Sequence, residues 1–142
     1  MLETLVLRSN YADLKRLQEW VAALEAAVGL GERDRFRIDL ALTEAVTNIM
    51  DSALAEGGYR EIRVRPDAGF QAISFEVTDE GRPFNPLEVE PRGLPLTLED
   101  SVQGGHGIRL IRSYSDDVRY ERVGTRNQLT LGFRLSRAGR EA

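Results

Sequence analysis

A strand that leads directly into an acid and a glycine is the feature that most constrains how this chain can fold. Residues 70–78 read FQAISFEVT, in which apolar and polar side chains alternate as in a strand with one buried face. Asp79 follows at the end of this strand, and Gly81 allows a sharp turn or a close approach to a ligand. The pattern predicts a half-buried strand with a carboxylate at its end. An ordinary Asp-Gly turn is an alternative explanation of the same residues.

The length and composition predict one globular domain. A chain of 142 residues has the size of a single domain, here residues 1–136, followed by a frayed tail over 137–142. Hydrophobic residues make up 42% and charged residues 30%, which is typical of a soluble protein. No run approaches the roughly 18 apolar residues of a membrane span, and the start, MLETLVLRSN, lacks the apolar core of a signal peptide. We therefore expect a cytoplasmic protein that does not contact a membrane.

Two residue counts and the net charge exclude several classes of function. The chain has no cysteine, which excludes disulfides, thiolate metal sites and thiol catalysis. Its single histidine, His106, disfavours a zinc site, because zinc is held by several histidine or cysteine ligands. The net charge is −4, whereas a protein that binds nucleic acid without sequence preference needs a basic face. We expect no direct contact with nucleic acid.

Strands and helices follow one another in mixed order along the chain. The apolar periodicity and the glycines that interrupt it predict strand 3–8, helix 11–28, helix 32–55, strands 60–66 and 70–78, helix 107–114, and strands 117–123 and 127–135. We expect Asn10 to cap the first helix, with Asp13 at the capping-box position, and residues 67–69 to turn the first hairpin. Residues 85–103 are rich in proline, glycine and acids, and long loops inside compact domains are often functional.

The second predicted helix carries an acid and an amide on one face. Glu44 and Asn48 are four residues apart, so their side chains lie side by side. An asparagine oxygen suits Mg²⁺, which takes few protein ligands when phosphates supply the rest. A glutamate beside that ion can orient or deprotonate a nucleophile. A solvated helix face is the alternative, although the flanking Ala45 and Val46 place the pair at the border of a packed surface.

The acid at the strand end suits a particular hydrogen bond. A carboxylate such as Asp79 can accept from the exocyclic amino group of adenine. Guanine presents a carbonyl at that position and would leave the acid without a donor, so the contact would discriminate between the two bases.

A glycine-rich loop precedes the third predicted helix. Gly104, Gly105 and Gly107 allow backbone N–H groups to approach a phosphate, and the helix from Ile108 then presents its N-terminal dipole. The loop is not a P-loop, since no Lys-Ser/Thr follows, and it is not a dinucleotide fingerprint. A flexible hinge is the alternative interpretation.

Three segments resemble the sequence boxes of the GHKL ATPases, the superfamily of the gyrase, heat-shock chaperone, histidine kinase and mismatch-repair types. Residues 43–48 (TEAVTN) resemble the N box, residues 79–86 (DEGRPFNP) the D-x-G box, and residues 104–111 (GGHGIRLI) the G-x-G box of the lid. Pro83 and Phe84 extend the second box as in the RsbW-like branch, the anti-sigma-factor serine/threonine kinases. The boxes occur in the expected order, and the match covers nearly the whole chain.

The resemblance implies an α+β fold, the two-layer Bergerat sandwich, with a mixed, mainly antiparallel sheet and helices on one face. ATP or ADP would lie between helix 32–55, the Asp79 strand end and a lid over residues 85–106. Glu44 would be the general base, Asn48 the Mg²⁺ ligand and Asp79 the adenine anchor. The other nucleotide contacts would come from Gly81, Pro83, Phe84, Gly104, Gly105, Gly107, Ile108 and Asn127.

The same resemblance implies partners and leaves the activity open. Proteins of this branch bind a sigma factor, phosphorylate a serine on an anti-sigma-factor antagonist, and are commonly homodimers. Here Asp51 and Ser52 follow the N box and Gln103 precedes the lid glycines, where the branch often has other residues. These differences favour, as an alternative, a nucleotide-sensing module without phosphotransfer. A detached histidine-kinase catalytic domain is a third class, which would have to act in trans because the sole histidine lies in the glycine loop.

Overall fold

Within residues 2–85 and 111–136, which the computed structural model describes, five strands form one antiparallel sheet. In chain order, the elements are β1 (Leu5–Arg8), a 3-10 turn (Tyr11–Asp13), α1 (Leu14–Val28), α2 (Glu32–Ala55), β2 (Glu61–Ala68), β3 (Ala72–Asp79), β4 (Asp117–Val123) and β5 (Arg126–Arg134). The strand order is β1-β2-β3-β5-β4, and each neighbouring pair is antiparallel. Both helices pack on one face of the sheet, which confirms the predicted two-layer α+β fold.

Alternation along the strands places the core between the sheet and the helices. On β3, Ile73, Phe75 and Val77 point inward and are buried, while the residues between them face outward. The helices contribute apolar stripes at helical spacing, Leu17, Val21 and Leu24 on α1 and Ile38, Leu42, Ala45 and Val46 on α2. Trp20, Phe75 and Phe133 meet edge to face at the centre of this core. Truncating a buried ring such as Phe75 to alanine would cost about 3–5 kcal/mol.

Burial also explains why the last two strands are not in sequence order. On β5, Leu129, Leu131 and Phe133 are buried, whereas β4 has no fully buried residue. A strand with more apolar side chains gains more from a central position in the sheet, since neighbouring strands then cover both of its edges. The chain therefore places β5 beside β3 and leaves β4 at the edge.

The second helix has the predicted bounds. It follows Gly31 and runs over 24 residues from Glu32 to Ala55. At its end Gly57 adopts a left-handed conformation, with φ of 70°, and the N–H groups of Gly57 and Gly58 reach back to helix carbonyls. Paired glycines outside the apolar repeat were therefore a reliable signal for the end of this helix.

The start of the first helix differs from the prediction. Asn10 acts as a cap, and its Oδ1 accepts from the Ala12 N–H at 2.9 Å, but the first turn is a 3-10 turn and α1 begins at Leu14. The expected capping box is wrong. Asp13 does not reach the Asn10 N–H, because its Oδ2 accepts instead from the Arg8 N–H at the end of β1, at 2.8 Å.

The first hairpin turns later than predicted. Asp67 and Ala68 continue the ladder opposite Ser74 and Ile73, so the expected turn at 67–69 is wrong. The turn is closed instead by Gly69, whose N–H donates to the Ala72 carbonyl at 2.8 Å. As a consequence, the register places Ile62 opposite Asp79.

A group of charged and polar residues joins the start of α2 to the far end of β5. We name it the Arg37 cluster; it comprises Asp34, Arg37, Asp116 and Ser136. The Arg37 guanidinium donates to Asp34 at 3.2 Å and to Asp116 at 2.8 Å, and Asp34 accepts from the Ser136 N–H at 2.8 Å. Burial alone would raise the pKa of Asp116, but the Arg134 N–H and the Arg37 guanidinium together lower it below its usual range.

The lid prediction lies largely outside the described residues. Residues 111–114 are helical and belong to the predicted helix 107–114, whereas residues 86–110, which hold the rest of that helix and the glycine loop, are outside the described ranges. In the described part of the chain, no helix has the length and apolar character needed to cross a membrane.

Candidate functional site

A cavity lies between one face of α2 and the ends of β3 and β5. The α2 side contributes residues at helical spacing, and the sheet side contributes the end of β3 and the start of β5. Its walls are apolar except at a few places where charged or amide side chains reach in. The lining comprises Ala45, Asn48, Ile49, Ser52, Arg60, Val77, Asp79, Arg82, Phe84, Tyr120, Asn127 and Leu129. Apolar walls with a few placed polar groups are typical of small-molecule sites.

The Asp79 carboxylate is the most deeply buried charge in this lining, with 5% of the residue exposed. Its Oδ2 accepts from the Gly81 N–H at 2.9 Å, and Arg60 Nη1 and Asn127 Nδ2 each lie 3.5 Å from the same oxygen. Burial raises the pKa of Asp79, and the Gly81 N–H, Arg60, Asn127 and Arg122 only partly oppose the rise. These three contacts all meet Oδ2. We name Asp79, Arg60, Gly81 and Asn127 the Asp79 cluster.

Asn127 fastens the segment after β3 to the sheet. Its Nδ2 donates to the Arg82 carbonyl at 2.8 Å, and its Oδ1 accepts from the Phe84 N–H at 3.1 Å. The same Oδ1 accepts from Tyr120 at 2.5 Å and from Arg122 at 3.2 Å. The resemblance implies that Asn127 contacts the nucleotide, which stays a prediction, and the structure shows that Asn127 positions Arg82 and Phe84 in the wall of the cavity.

The two residues predicted on α2 occupy different places. Asn48 lines the cavity, together with Ser52 one turn further on. Glu44 is half-buried one turn before Asn48 and is not part of the described lining. The structure therefore brings Asn48 and Asp79 together and places Glu44 at the border of the cavity.

The segment after the D-x-G box is partly inside the site. Phe84 lines the cavity although 44% of it is exposed, whereas Pro83 is exposed and outside the lining. Asp51, which would add negative charge near phosphates, is exposed and its carboxylate accepts from the Tyr11 hydroxyl instead. That hydrogen bond is the largest cause of the raised pKa of Tyr11.

The glycine-loop residues of the prediction lie outside the described residues. These are Gln103, Gly104, Gly105, His106, Gly107 and Ile108. Their predicted roles toward phosphate stay predictions.

Sequence reasoning missed Arg60, which lines the cavity, and Arg122, which supports it from β4. Arg122 pairs with Asn127 across the β4–β5 hairpin, because Arg126 pairs with Val123 and already belongs to β5 rather than to the connection between the predicted strands 117–123 and 127–135. Arg60 lies beyond the last described pair of the β2–β3 ladder, which ends at Ile62 and Asp79. The turn misplaced at 67–69 concealed that relation.

Comparisons with known proteins identify the family and the fold. The family model for the histidine kinase-like ATPase domain matches residues 7–133. The chain is 31% identical over 99 residues to the serine/threonine-protein kinase BtrW of Bordetella bronchiseptica, with 70% of each protein covered. Its fold is similar to the crystal structure of the RsbU and RsbW domains of a Mycobacterium tuberculosis protein, with a TM-score of 0.62 and 15% identity. That match covers 94% of this chain, which spans only 32% of the other chain.

The family match extends from β1 to β5 and includes both Asn48 and Asp79. The three sequence boxes predicted this family from the residues alone, and the fold places the first two boxes on either side of one cavity. The chain therefore belongs to the histidine kinase-like ATPase family.

Proposed function

We propose that this chain is an ATP-binding regulatory serine/threonine kinase that binds a sigma factor and phosphorylates a serine on an anti-sigma-factor antagonist. The observation that carries the proposal is the buried Asp79 carboxylate, which faces Asn48 across a largely apolar cavity. The named activity of the BtrW relative supports the kinase class.

The lining of the cavity suits the chemistry of an adenine ring. Ile49, Val77 and Leu129 supply apolar walls, and the half-exposed Phe84 also lines the cavity. Asp79 supplies the buried acceptor that an exocyclic amino group requires. A base with a carbonyl at that position would leave the buried carboxylate without a donor, which costs about 1–3 kcal/mol or more for a charged group.

The helix side fits the phosphate end and its metal. Asn48 would offer its amide oxygen to Mg²⁺, and one such ligand is sufficient when phosphates and water supply the others. When bound, Mg²⁺ neutralises charge on the phosphates during transfer. Gly104, Gly105, Gly107 and Ile108 would donate backbone N–H groups to the phosphates, as the resemblance implies.

Glu44 would act on the serine that receives the phosphoryl group. The serine oxygen forms a bond to the γ-phosphorus while the bond from that phosphorus to the β,γ-bridging oxygen breaks, and ADP leaves. The hydroxyl proton passes to the Glu44 carboxylate. Phosphoryl transfer depends mainly on positioning and charge stabilisation, so the base needs to be well placed rather than strong.

The partners follow from the RsbW-like branch. We propose that the chain binds a sigma factor and an anti-sigma-factor antagonist, a protein that presents an acceptor serine, and that it functions as a homodimer. We also propose that the protein acts in the cytoplasm.

Calorimetry and phosphotransfer test this proposal. With Mg²⁺ present, ATP and ADP should bind and GTP should bind far more weakly. Incubation with labelled ATP and a candidate antagonist should transfer label to a serine. Equal affinity for ATP and GTP would contradict the adenine assignment, and so would an absence of nucleotide binding.

A nucleotide-sensing module without phosphotransfer is the second candidate. The position of Glu44 outside the described cavity lining favours it. The Glu44→Gln variant separates the two, since it keeps the shape and removes the charge. For a kinase, we expect ATP affinity to stay within a few-fold and the transfer rate to fall by about 10²- to 10⁴-fold. Asn48→Ala should instead weaken Mg²⁺–ATP binding. ATP binding with no transfer to any antagonist by the unaltered protein would favour the sensor.

A further inference from the structure

A buried arginine lies beside the Asp79 carboxylate, and the sequence boxes do not include it. Arg60 precedes β2, and its side chain is only 10% exposed. Its Nη1 lies 3.5 Å from Asp79 Oδ2, and its Nη2 donates to Glu56. Glu56 also accepts from Arg82 Nε at 3.1 Å, so this acid is held from two sides. The guanidinium of Arg60 is therefore fixed against the carboxylate.

Gly81 leaves the space that this guanidinium occupies. The backbone at Gly81 is not left-handed, so its conformation does not require glycine. A Cβ built on Gly81 would lie 2.3 Å from Arg60 Cζ and 2.5 Å from Arg60 Nη1, well inside contact distance. The glycine of the D-x-G box thus accommodates an arginine here, in addition to any role it has beside a base.

We propose that Arg60 is a specificity-determining residue that keeps Asp79 an ionised, acceptor-only carboxylate and thereby sets the preference for adenine over guanine. This inference rests on the proposed function of the cavity as an adenine site. An ionised carboxylate only accepts hydrogen bonds, whereas a protonated one also donates through its O–H. A protonated Asp79 could donate to the carbonyl that guanine presents where adenine presents its amino group. The charge state of Asp79 thus decides which base fits.

The groups that face Asp79 give Arg60 this role. Gly81 and Asn127 are neutral donors, and Arg122 directs its Nη1 to the Gly81 carbonyl at 2.8 Å and to Asn127 at 3.2 Å. Among the described residues, Arg60 is the cation within ion-pair distance of the carboxylate. Burial raises the pKa of Asp79 even with these groups in place, so losing one cation would raise it further.

Three variants isolate the charge at this position. Arg60→Met removes the cation at similar length, and Arg60→Lys restores a cation without the planar fork. Arg65→Met is the matched control, since Arg65 also belongs to the β2 region but its side chain is 62% exposed and pairs with Glu76. Amide NMR spectra establish that each variant is folded before it is compared.

The first measurement needs no nucleotide. The carboxyl carbon of Asp79 is followed by NMR as pH is lowered, in the unaltered protein and in each variant. We expect the titration midpoint to rise in Arg60→Met, to return toward the original value in Arg60→Lys, and to stay unchanged in Arg65→Met. Gly81→Ala should raise the midpoint as Arg60→Met does, because the new Cβ displaces the guanidinium, and should add nothing in the Arg60→Met background.

The second measurement compares ATP and GTP by calorimetry at pH values above and below the Asp79 midpoint that the first measurement gives for Arg60→Met. Where Asp79 is ionised in the unaltered protein, that protein should keep one preference for ATP. In Arg60→Met the preference should shrink about tenfold or more below the midpoint, as the lost charged hydrogen bond implies. In Arg60→Lys the preference should again be constant with pH.

The outcomes separate this inference from the proposed function. A protein that prefers ATP, with the same Asp79 midpoint and the same preference in Arg60→Met, would overturn the role of Arg60 and leave the adenine site intact. A protein that binds neither nucleotide would overturn the proposed function, and the specificity role with it, whatever the titration gives. A higher ATP affinity in Arg60→Met at every pH would show that the arginine obstructs the site, which also contradicts the inference.

Discussion

Two charged clusters lie at opposite ends of the sheet, and they shift the pKa values of their carboxyl groups in opposite directions. In the Arg37 cluster the guanidinium meets both Asp34 and Asp116, and the pKa of Asp116 lies below its usual range in spite of burial. In the Asp79 cluster the carboxylate is more deeply buried, its cation is 3.5 Å away, and burial keeps its pKa raised. The first cluster therefore stabilises the fold. The second holds a buried carboxylate with a raised pKa in the lining of a cavity, which is typical of a functional site.

The positions of the two clusters explain this difference. Arg37 also donates to the carbonyls of Tyr114 and Arg134, so its fork joins α2 to the chain on both sides of the β4–β5 hairpin. Asp79 instead lies where β3 ends, in the lining of the cavity. A buried carboxylate with a raised pKa is tolerated there because the core and the Arg37 cluster stabilise the domain elsewhere.

The largest expected effect is on stability at the Arg37 cluster. Arg37→Met should lower the free energy of unfolding by about 3–5 kcal/mol, because it leaves Asp34 buried without its cation. Arg60→Met should cost less, about 1–2 kcal/mol, since Asp79 can take up a proton. Urea unfolding at pH 7 measures both, with Arg65→Met as a control that should change little. Equal losses at positions 37 and 60 would contradict the distinction between the clusters.

The next effect is on ligand binding at the Asp79 cluster. Asp79→Asn should weaken ATP binding by roughly 1.5–3 kcal/mol, about 10- to 150-fold, because it removes a charged acceptor. Calorimetry with Mg²⁺–ATP measures the change. The same substitution at the other cluster, Asp116→Asn, serves as the control and should leave ATP affinity within a few-fold. Unchanged binding in Asp79→Asn would remove Asp79 from its proposed role.

The smallest expected effect is on stability at pH 7, where replacing Asp116 and replacing Asp79 by asparagine should change the free energy of unfolding in opposite directions. Because the pKa of Asp116 is lowered in the folded protein, its carboxylate stabilises the fold at pH values above the ordinary pKa of the group, and this stabilisation is lost as pH falls through the folded-state pKa. Asp116→Asn should therefore destabilise the protein at pH 7 by about 1 kcal/mol. The raised pKa of Asp79 works in the other direction, since its stabilisation is present in acid and is lost as pH rises through the folded-state pKa. Asp79→Asn should therefore give a small gain in stability at pH 7.

Melting curves of both variants and the unaltered protein, recorded across a range of pH, test the direction of each change in stability. Both differences from the unaltered protein should shrink toward acid pH, where both carboxyl groups are protonated in either state. The difference for Asp79→Asn should shrink at a higher pH than that for Asp116→Asn. A loss of stability at pH 7 in Asp79→Asn, similar to that in Asp116→Asn, would mean that Asp79 is as well satisfied as its counterpart.

Local signals in the sequence located most of the elements. Helix 32–55 has the predicted bounds because glycines border its apolar repeat, and strand 117–123 has them because Gly124 begins the turn with φ of 60°. The first hairpin was misplaced because Asp67 and Ala68 suit a turn by propensity, yet pairing with Ser74 and Ile73 stabilises them as strand. Such competition between local preference and ladder formation cannot be decided from propensity alone.

The sequence by itself determined the family, the strand that ends in Asp79 and the helix that presents Asn48, because each depends on spacing within one element. The tertiary structure decided what surrounds them. Asp79 faces Asn127 because β5 rather than β4 pairs with β3, a choice made by the larger apolar surface that β5 buries. Arg60 reaches Asp79 because the hairpin register brings the start of β2 to the end of β3. Register and strand order depend on burial summed over the whole sheet, so no single segment contains them.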